Sequence, residues 1–271
     1  MGAAHAGQGH IALPLVRNDL WLDERGDPRL QKPPAKGSRA PNTGSKEDPI
    51  RAHEELFTSG EYVHEFQPEA RHNPFARDYA RKREAVIRAV TGSDQRVLDV
   101  GGGMGRMSVP LSRTHFVTLT DISSQMLELA RPAASERLRL QVADARALPF
   151  DGGEFDYVLC IDVLPHIPEP RQLLQEVVRM LKPGGTLVID ITNSWPLWTL
   201  AYPSYLGRRP RRWLQIWRSG GVLPEWSKRV RHHRRRQLVD MLNGSGLRIQ
   251  SVRGFGPRLC PKWHLAVAVK G

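Results

Sequence analysis

Between residues 96 and 191 the apolar positions fall into short runs separated by stretches that repeat at helical spacing. Val97-Leu98-Asp99-Val100 is followed by four glycines within five positions, a composition poor for a helix and suited to a buried strand that ends in a tight turn. Residues 116–120 read as a second strand closed by Asp121, and residues 138–143 alternate as a third that ends at Asp144. Residues 155–161 and 186–191 supply a fourth and a fifth. Helices are expected at 107–111, at 125–130 behind the N-cap Ser123, and at 173–181, stopped by Lys182-Pro183-Gly184-Gly185. Upstream, Phe75, Tyr79, Val86, Ile87 and Val90 recur at helical spacing behind Pro74, so residues 51–92 predict one or two helices leading into the first strand. The alternation breaks over residues 193–230, resumes as a helix at 233–242, and ends with strands at 247–254 and 264–270. This order predicts an α/β protein: a three-layer, doubly wound, mostly parallel sheet with ligands at the strands' carboxyl edge.

Composition divides the chain. Residues 1–50 hold six glycines and six prolines with no apolar period and read as a disordered leader before a domain over 93–271. The formal charge of +12 is concentrated at one end: residues 208–271 carry 16 Lys and Arg against Glu225 and Asp240. The C-terminal part therefore expects an anionic partner or surface. Cys160 and Cys260 offer neither a disulfide framework nor metal-ligand spacing, so no metal is expected and a reducing, cytoplasmic setting is. No apolar run approaches the ~20 residues that span a bilayer, and no charged-then-apolar leader predicts secretion.

The chemistry lies at the strand ends. A glycine turn opening a helix lets a ligand rest on bare backbone. Asp121 lies 22 residues beyond Asp99, the spacing at which nucleotide-binding folds set a carboxylate on the ribose hydroxyls. Asp144 could accept from an adenine amino group, with Ile122 and Met126 against the ring faces. A dinucleotide is disfavoured, because the third glycine of that fingerprint would fall at Arg106 and stands instead at Gly105.

These segments together, VLDVGGGMG at 97–105, Asp121-Ile122-Ser123, Ala143-Asp144-Ala145, Leu148-Pro149-Phe150, Phe155-Asp156-Tyr157-Val158 and Leu181-Lys182-Pro183-Gly184-Gly185, resemble class I S-adenosylmethionine-dependent methyltransferases, in particular small-molecule members of the type-11 kind. The resemblance covers residues ~95–191 and implies a seven-stranded Rossmann-like sheet with its last strand antiparallel. It implies S-adenosylmethionine as methyl donor, with Gly101, Gly103 and Gly105 along the methionine part, Asp121 on the ribose, and Asp144-Ala145 at the adenine. Ile161 would line the methionine amine through its backbone, and Asp99 would act through backbone or water contacts or as a structural brace.

The acceptor is a separate question. Methyl transfer from an activated donor is mostly positioning, and a base is needed only for a neutral hydroxyl or acidic carbon. His166, in the loop after the fourth strand, is the candidate base; a packing role is its alternative. His64, His72, Tyr79 and Tyr202 are weaker candidates. Residues 193–230 read as a lid over a lipophilic or aromatic small molecule, to be methylated on oxygen or carbon. Trp195, Trp198, Trp213 and Trp217 interleave there with Arg208, Arg209, Arg211 and Arg212, a mixture that suits peripheral contact of residues 195–236 with an anionic membrane face. Nucleic acid is the second acceptor class, through the basic run 228–236, although no base-directed catalytic motif accompanies it. A methyltransferase-like protein that binds without turnover is the third reading.

Overall fold

The computed structural model describes residues 74–167, 169–193 and 233–271. The expected leader, the first of the N-terminal helices and all of the 193–230 insertion except Asn193 lie outside them. In chain order the elements are α1 (Pro74–Ala89), β1 (Arg96–Val100), α2 (Ser108–Leu111), β2 (Phe116–Asp121), α3 (Ser124–Ala130), β3 (Leu138–Val142), β4 (Phe155–Cys160), α4 (Pro170–Met180), β5 (Leu181–Thr192), α5 (Arg235–Asn243), β6 (Leu247–Phe255) and β7 (Trp263–Lys270).

The strands form one seven-stranded sheet in the order β3-β2-β1-β4-β5-β7-β6. Neighbours from β3 through β5 are parallel, and β7 runs antiparallel to both β5 and β6. Successive side chains of a strand point to opposite faces, so the near-continuous apolar runs build two cores. Leu98, Val158, Cys160, Leu187 and Ile189 pack with Leu173, Leu174 and Val177 of α4 and Leu238 and Leu242 of α5. Val97, Val117, Leu119, Leu159 and Val188 pack with Val86 of α1, Met107 and Leu111 beside and within α2, and Leu127 and Ala130 of α3. Helix–sheet–helix layering follows from this division.

Two boundaries differ from the sequence expectation by three residues or more. α4 begins at Pro170, three residues early, because proline at the first helical position has no amide to leave unsatisfied. β5 begins at Leu181 rather than at 186. Lys182-Pro183-Gly184-Gly185 does stop the helix, but as a bulge inside the strand: Phe155 pairs with Leu181 and Tyr157 with Thr186.

The chain reverses direction across the sheet at β1, which lies between β2 and β4. A parallel sheet opens a crevice at such a switch point, outside the strands' carboxyl ends. Because β7 is antiparallel and Thr192 pairs with Trp263, the start of β7 is carried to this same edge.

Candidate functional site

The floor of the crevice is the turn between β1 and α2. Gly101, Gly103 and Gly105 have φ of +66°, +56° and +76°, where a side chain is strained. The turn is tied by Gly102 N–H to Thr120 O and by Gly105 N–H to Gly102 O, both at 3.0 Å. Gly102, on which the sequence places no role, is the most crowded of the four. A Cβ there would meet Leu119 Cδ1 at 2.4 Å and Asp99 Oδ2 at 2.5 Å. At Gly101 a Cβ would meet Val163 Cγ2 at 2.5 Å, so the loop after β4 lies directly on the turn. At Gly103 the nearest atom is Met126 Cε, at 3.0 Å, followed by Asp121 Oδ2 at 3.9 Å.

Asp121, at the end of β2, is fixed by backbone donors on both oxygens. Gly103 N–H donates to Oδ2 and Ser123 N–H to Oδ1, each at 2.9 Å. Each oxygen keeps a lone pair, so the carboxylate can receive two further hydroxyls in one orientation. Burial raises its pKa, with these backbone bonds opposing the shift. Ser123 caps α3 as the sequence predicts, accepting from Met126 N–H at 3.2 Å. That cap brings buried Met126 beside the turn, with half-buried Ile122 between Asp121 and the cap.

Asp99 lies under the turn and is 1% exposed. Ser108 Oγ, at the start of α2, donates to its Oδ2 at 2.6 Å, while Oδ1 is buried without a hydrogen-bond partner among the described residues. Burial pushes its pKa up to about 6. It braces the turn against α2.

At the end of β3, Asp144 is turned onto its neighbour. Arg146 Nε contacts Oδ1 at 3.0 Å, Nη2 contacts Oδ2 at 2.6 Å, and the Arg146 N–H donates to Oδ1 at 2.9 Å. The guanidinium lowers the pKa of Asp144. The open carboxylate expected from sequence is thus already paired, because a tight turn, closed by Ala147 N–H to Asp144 O at 3.0 Å, brings residue 146 back over it. Ala145 packs on the α4-side core, and Ile161, 8% exposed, on the α1-side core. His166 ends the 3-10 turn Leu164–His166 after β4 and is half-buried, close enough for its charge to lower the pKa of Asp162.

A buried ion cluster on the same edge goes beyond what the sequence predicts. Lys82 of α1, fully buried, donates to Asp162 Oδ1 at 2.7 Å and to Asp190 Oδ2 at 2.6 Å. Two signals for it are present in the chain. Position 82 falls on the apolar stripe of Tyr79, Val86 and Val90, and Asp190 interrupts Leu187-Val188-Ile189 and Ile191 in a strand with no exposed face. A charge in either place requires a partner. His64, His72 and Tyr202, named as weaker candidates, lie outside the described residues; Tyr79 stacks edge-on against Trp263 with centroids 5.9 Å apart. Among the described residues no group of His, Cys, Asp and Glu could hold a metal, and no helix is long and apolar enough to cross a membrane.

Residues 98–189 match the model of a methyltransferase domain family. The demethylmenaquinone methyltransferase of Clavibacter sepedonicus is 40% identical over 119 residues, 42% of this chain and 49% of that one. The ubiquinone biosynthesis O-methyltransferase of Xanthomonas campestris pv. campestris is 34% identical over 130 residues, 46% and 52% of the two chains. This chain thus spans about half the length of these curated relatives. Magnesium protoporphyrin IX methyltransferase of Synechocystis PCC 6803, solved with bound SAM, superposes with a TM-score of 0.61 at 18% identity, covering 84% of this chain and 100% of that one. The cyclase SpnF superposes with a TM-score of 0.55 at 19% identity over 72% and 81% of the two chains. The fold is the Rossmann-like fold of these proteins.

Proposed function

We propose that the chain, whose residues 98–189 match the model of a methyltransferase domain family, transfers a methyl group from S-adenosylmethionine to a small, lipophilic or aromatic acceptor of the quinol type. The observation that carries this reading is the joint between turn and carboxylate, Gly103 N–H on Asp121 Oδ2 at 2.9 Å. One hydrogen bond orients a diol-binding carboxylate and aligns a bare-backbone groove beside it. The residues fit such a donor: the positive-φ glycines leave room along the methionine part, Asp121 receives the ribose hydroxyls, and Met126 and Ile122 flank the ring. Ile161 lies at the end of β4 beside the amine. Asp144 meets the adenine amino group only in competition with Arg146, so Ala145 and its backbone carry more of that contact.

Bound S-adenosylmethionine supplies a methyl group on a sulfonium, and such a group passes in line to a nucleophile. What the chain adds is position: the turn and the 163–166 loop confine donor and acceptor, and confinement of this kind accounts for up to ~7–11 kcal/mol of a barrier. His166, on the loop whose Val163 packs on Gly101, would take a proton from a hydroxyl or acidic carbon acceptor. Residues 193–230, read from the sequence as a lid, lie outside the described residues apart from Asn193; the arginines of that stretch suit an anionic membrane surface, where lipophilic acceptors reside. Transfer to nucleic acid is the second reading, favoured by the exposed run Arg234, Arg235 and Arg236 at the start of α5.

The test is calorimetric titration of the full chain with S-adenosylhomocysteine, then incubation of methyl-labelled S-adenosylmethionine with short-chain demethylated quinols or with total RNA. Binding that Gly103→Asp abolishes, with label in the organic phase, supports the reading. Absence of binding refutes it, and label released by nuclease moves the acceptor to RNA.

A further inference from the structure

The Lys82 cluster has no part in the scheme above, yet it borders the donor groove on two sides. Val163 packs on Gly101, and the Tyr79 ring lies 5.9 Å from the Arg106 guanidinium just past the glycines. Arg83 Nε also donates to Arg106 O at 3.1 Å, so α1 spans from the turn to the ends of β4 and β5. Lys82 Nζ sits 4.9 Å from the ring centroids of both Tyr79 and Trp263.

Charge and geometry give the cluster a direction. One ammonium bridges the two carboxylates, while Lys262 and His166 act on Asp162 from outside the bridge. Asp190 is buried and uses both oxygens, one on Lys82 and the other on Asp162 N–H at 2.7 Å. Asp162 is the open member: its side chain is 29% exposed, Oδ1 is held by Lys82, and Oδ2 makes no hydrogen bond among the described residues. Its φ of +60° is unusual for a residue with a side chain and costs about 1–2 kcal/mol. The backbone bond to Asp190 holds that conformation.

We propose that Lys82 is a positioning residue that keeps Asp162 a carboxylate turned toward the ammonium of the donor's amino-acid end. This rests on the donor reading above. A carboxylate oxygen left without a donor at the close of β4 is stabilised by an ammonium that donates to it. Lys82 beside Asp162 holds its pKa below the usual carboxylate range, with Lys262 and His166 acting in the same sense, while burial pushes that of the inner Asp190 up to about 6. Tyr79 of α1 and the Cys160 thiol of β4 also interact with the pair, and Arg106 acts on Tyr79.

The experiment compares two ligands on the full chain by calorimetry from about pH 5.5 to 8. S-adenosylhomocysteine carries the amino-acid end, and 5′-methylthioadenosine has the same nucleoside and sulfur without it. Asp162→Asn is expected to weaken S-adenosylhomocysteine about tenfold or more, the loss of one charge-assisted hydrogen bond, and to leave methylthioadenosine within about twofold. Lys82→Met leaves two carboxylates to share a proton. Its affinity for S-adenosylhomocysteine should then climb more steeply than that of the wild type as pH rises through about 6–8, and its affinity for methylthioadenosine should not. Equal binding of S-adenosylhomocysteine by Asp162→Asn and wild type overturns the inference, as does an equal loss for both ligands. If Lys82→Met loses methylthioadenosine, its fold has failed and Asp162→Asn alone decides. A wild type that binds neither ligand defeats the donor reading itself.

Discussion

Gly102→Ala should damage the protein more than its conservative size suggests. The new methyl would sit 2.4 Å from Leu119 Cδ1, 2.5 Å from Asp99 Oδ2 and 2.6 Å from Asp99 Cγ. Neither neighbour can swing away: Leu119 is fully buried on β2, and Asp99 is 1% exposed and tied to Ser108 at 2.6 Å. The turn itself must shift, against its bonds to Thr120 and Gly105. Overpacking of this kind costs about 1–3 kcal/mol, and contacts a full ångström too short place it at about 2–3. For a folded body of this size that is a drop in Tm of roughly 4–12 °C. Gly153→Ala is the control. Its φ is +74° but nothing lies within 4 Å of the new methyl, so only backbone strain of about 1 kcal/mol applies, roughly 2–4 °C. The assay is thermal denaturation followed by circular dichroism. If Gly102→Ala melts within ~2 °C of wild type, or no lower than Gly153→Ala, then packing of the turn on Leu119 and Asp99 is not what holds it.

Three further outcomes are expected. Ser123→Ala removes the cap on Met126 N–H and should cost about 1 kcal/mol, read as a urea midpoint shift, with adenosyl-ligand affinity falling as Met126 loosens. Asp121→Asn sets an amide N–H₂ against one of two backbone donors that now meet carboxylate oxygens. It should weaken S-adenosylhomocysteine by about tenfold or more in calorimetry, and unchanged affinity would remove Asp121 from the site. Asp99 has a folded pKa of about 6 against an ordinary value of 3.8, so the unfolded chain releases its proton first as pH rises. The Asp99 contribution to stability should therefore fall between about pH 4 and 6, by about 1.4 kcal/mol for each pH unit crossed, and then level off. Asp190 has the same sign, so Asp99→Asn should flatten this decline without abolishing it, and a decline identical to wild type in a denaturant titration across that range would count against the assignment.

Much of this is written locally in the chain. Strand–helix alternation, the glycine turn, Ser123 as a cap and Asp121 at the end of β2 all depend on residues within a few positions of one another. Apolar periodicity and glycine's freedom at positive φ determine such features before any long-range contact forms. The strand count and the antiparallel β7 come through resemblance to a family, and the sheet order from the tertiary structure, because periodicity does not encode which strand pairs with which. What only the tertiary structure decides involves partners far apart or side-chain directions. Asp144 is legible as a carboxylate at a strand end, but its pairing with Arg146 depends on a turn that folds residue 146 back. Gly102 looks like one glycine among four until β2 places Leu119 against it. Lys82 lies 80 residues from Asp162 and 108 from Asp190 along the chain. A buried charge announces that a partner exists, yet only the packing of α1 across β4 and β5 says which one, because desolvation is local whereas the ion that offsets it can come from anywhere the fold brings it.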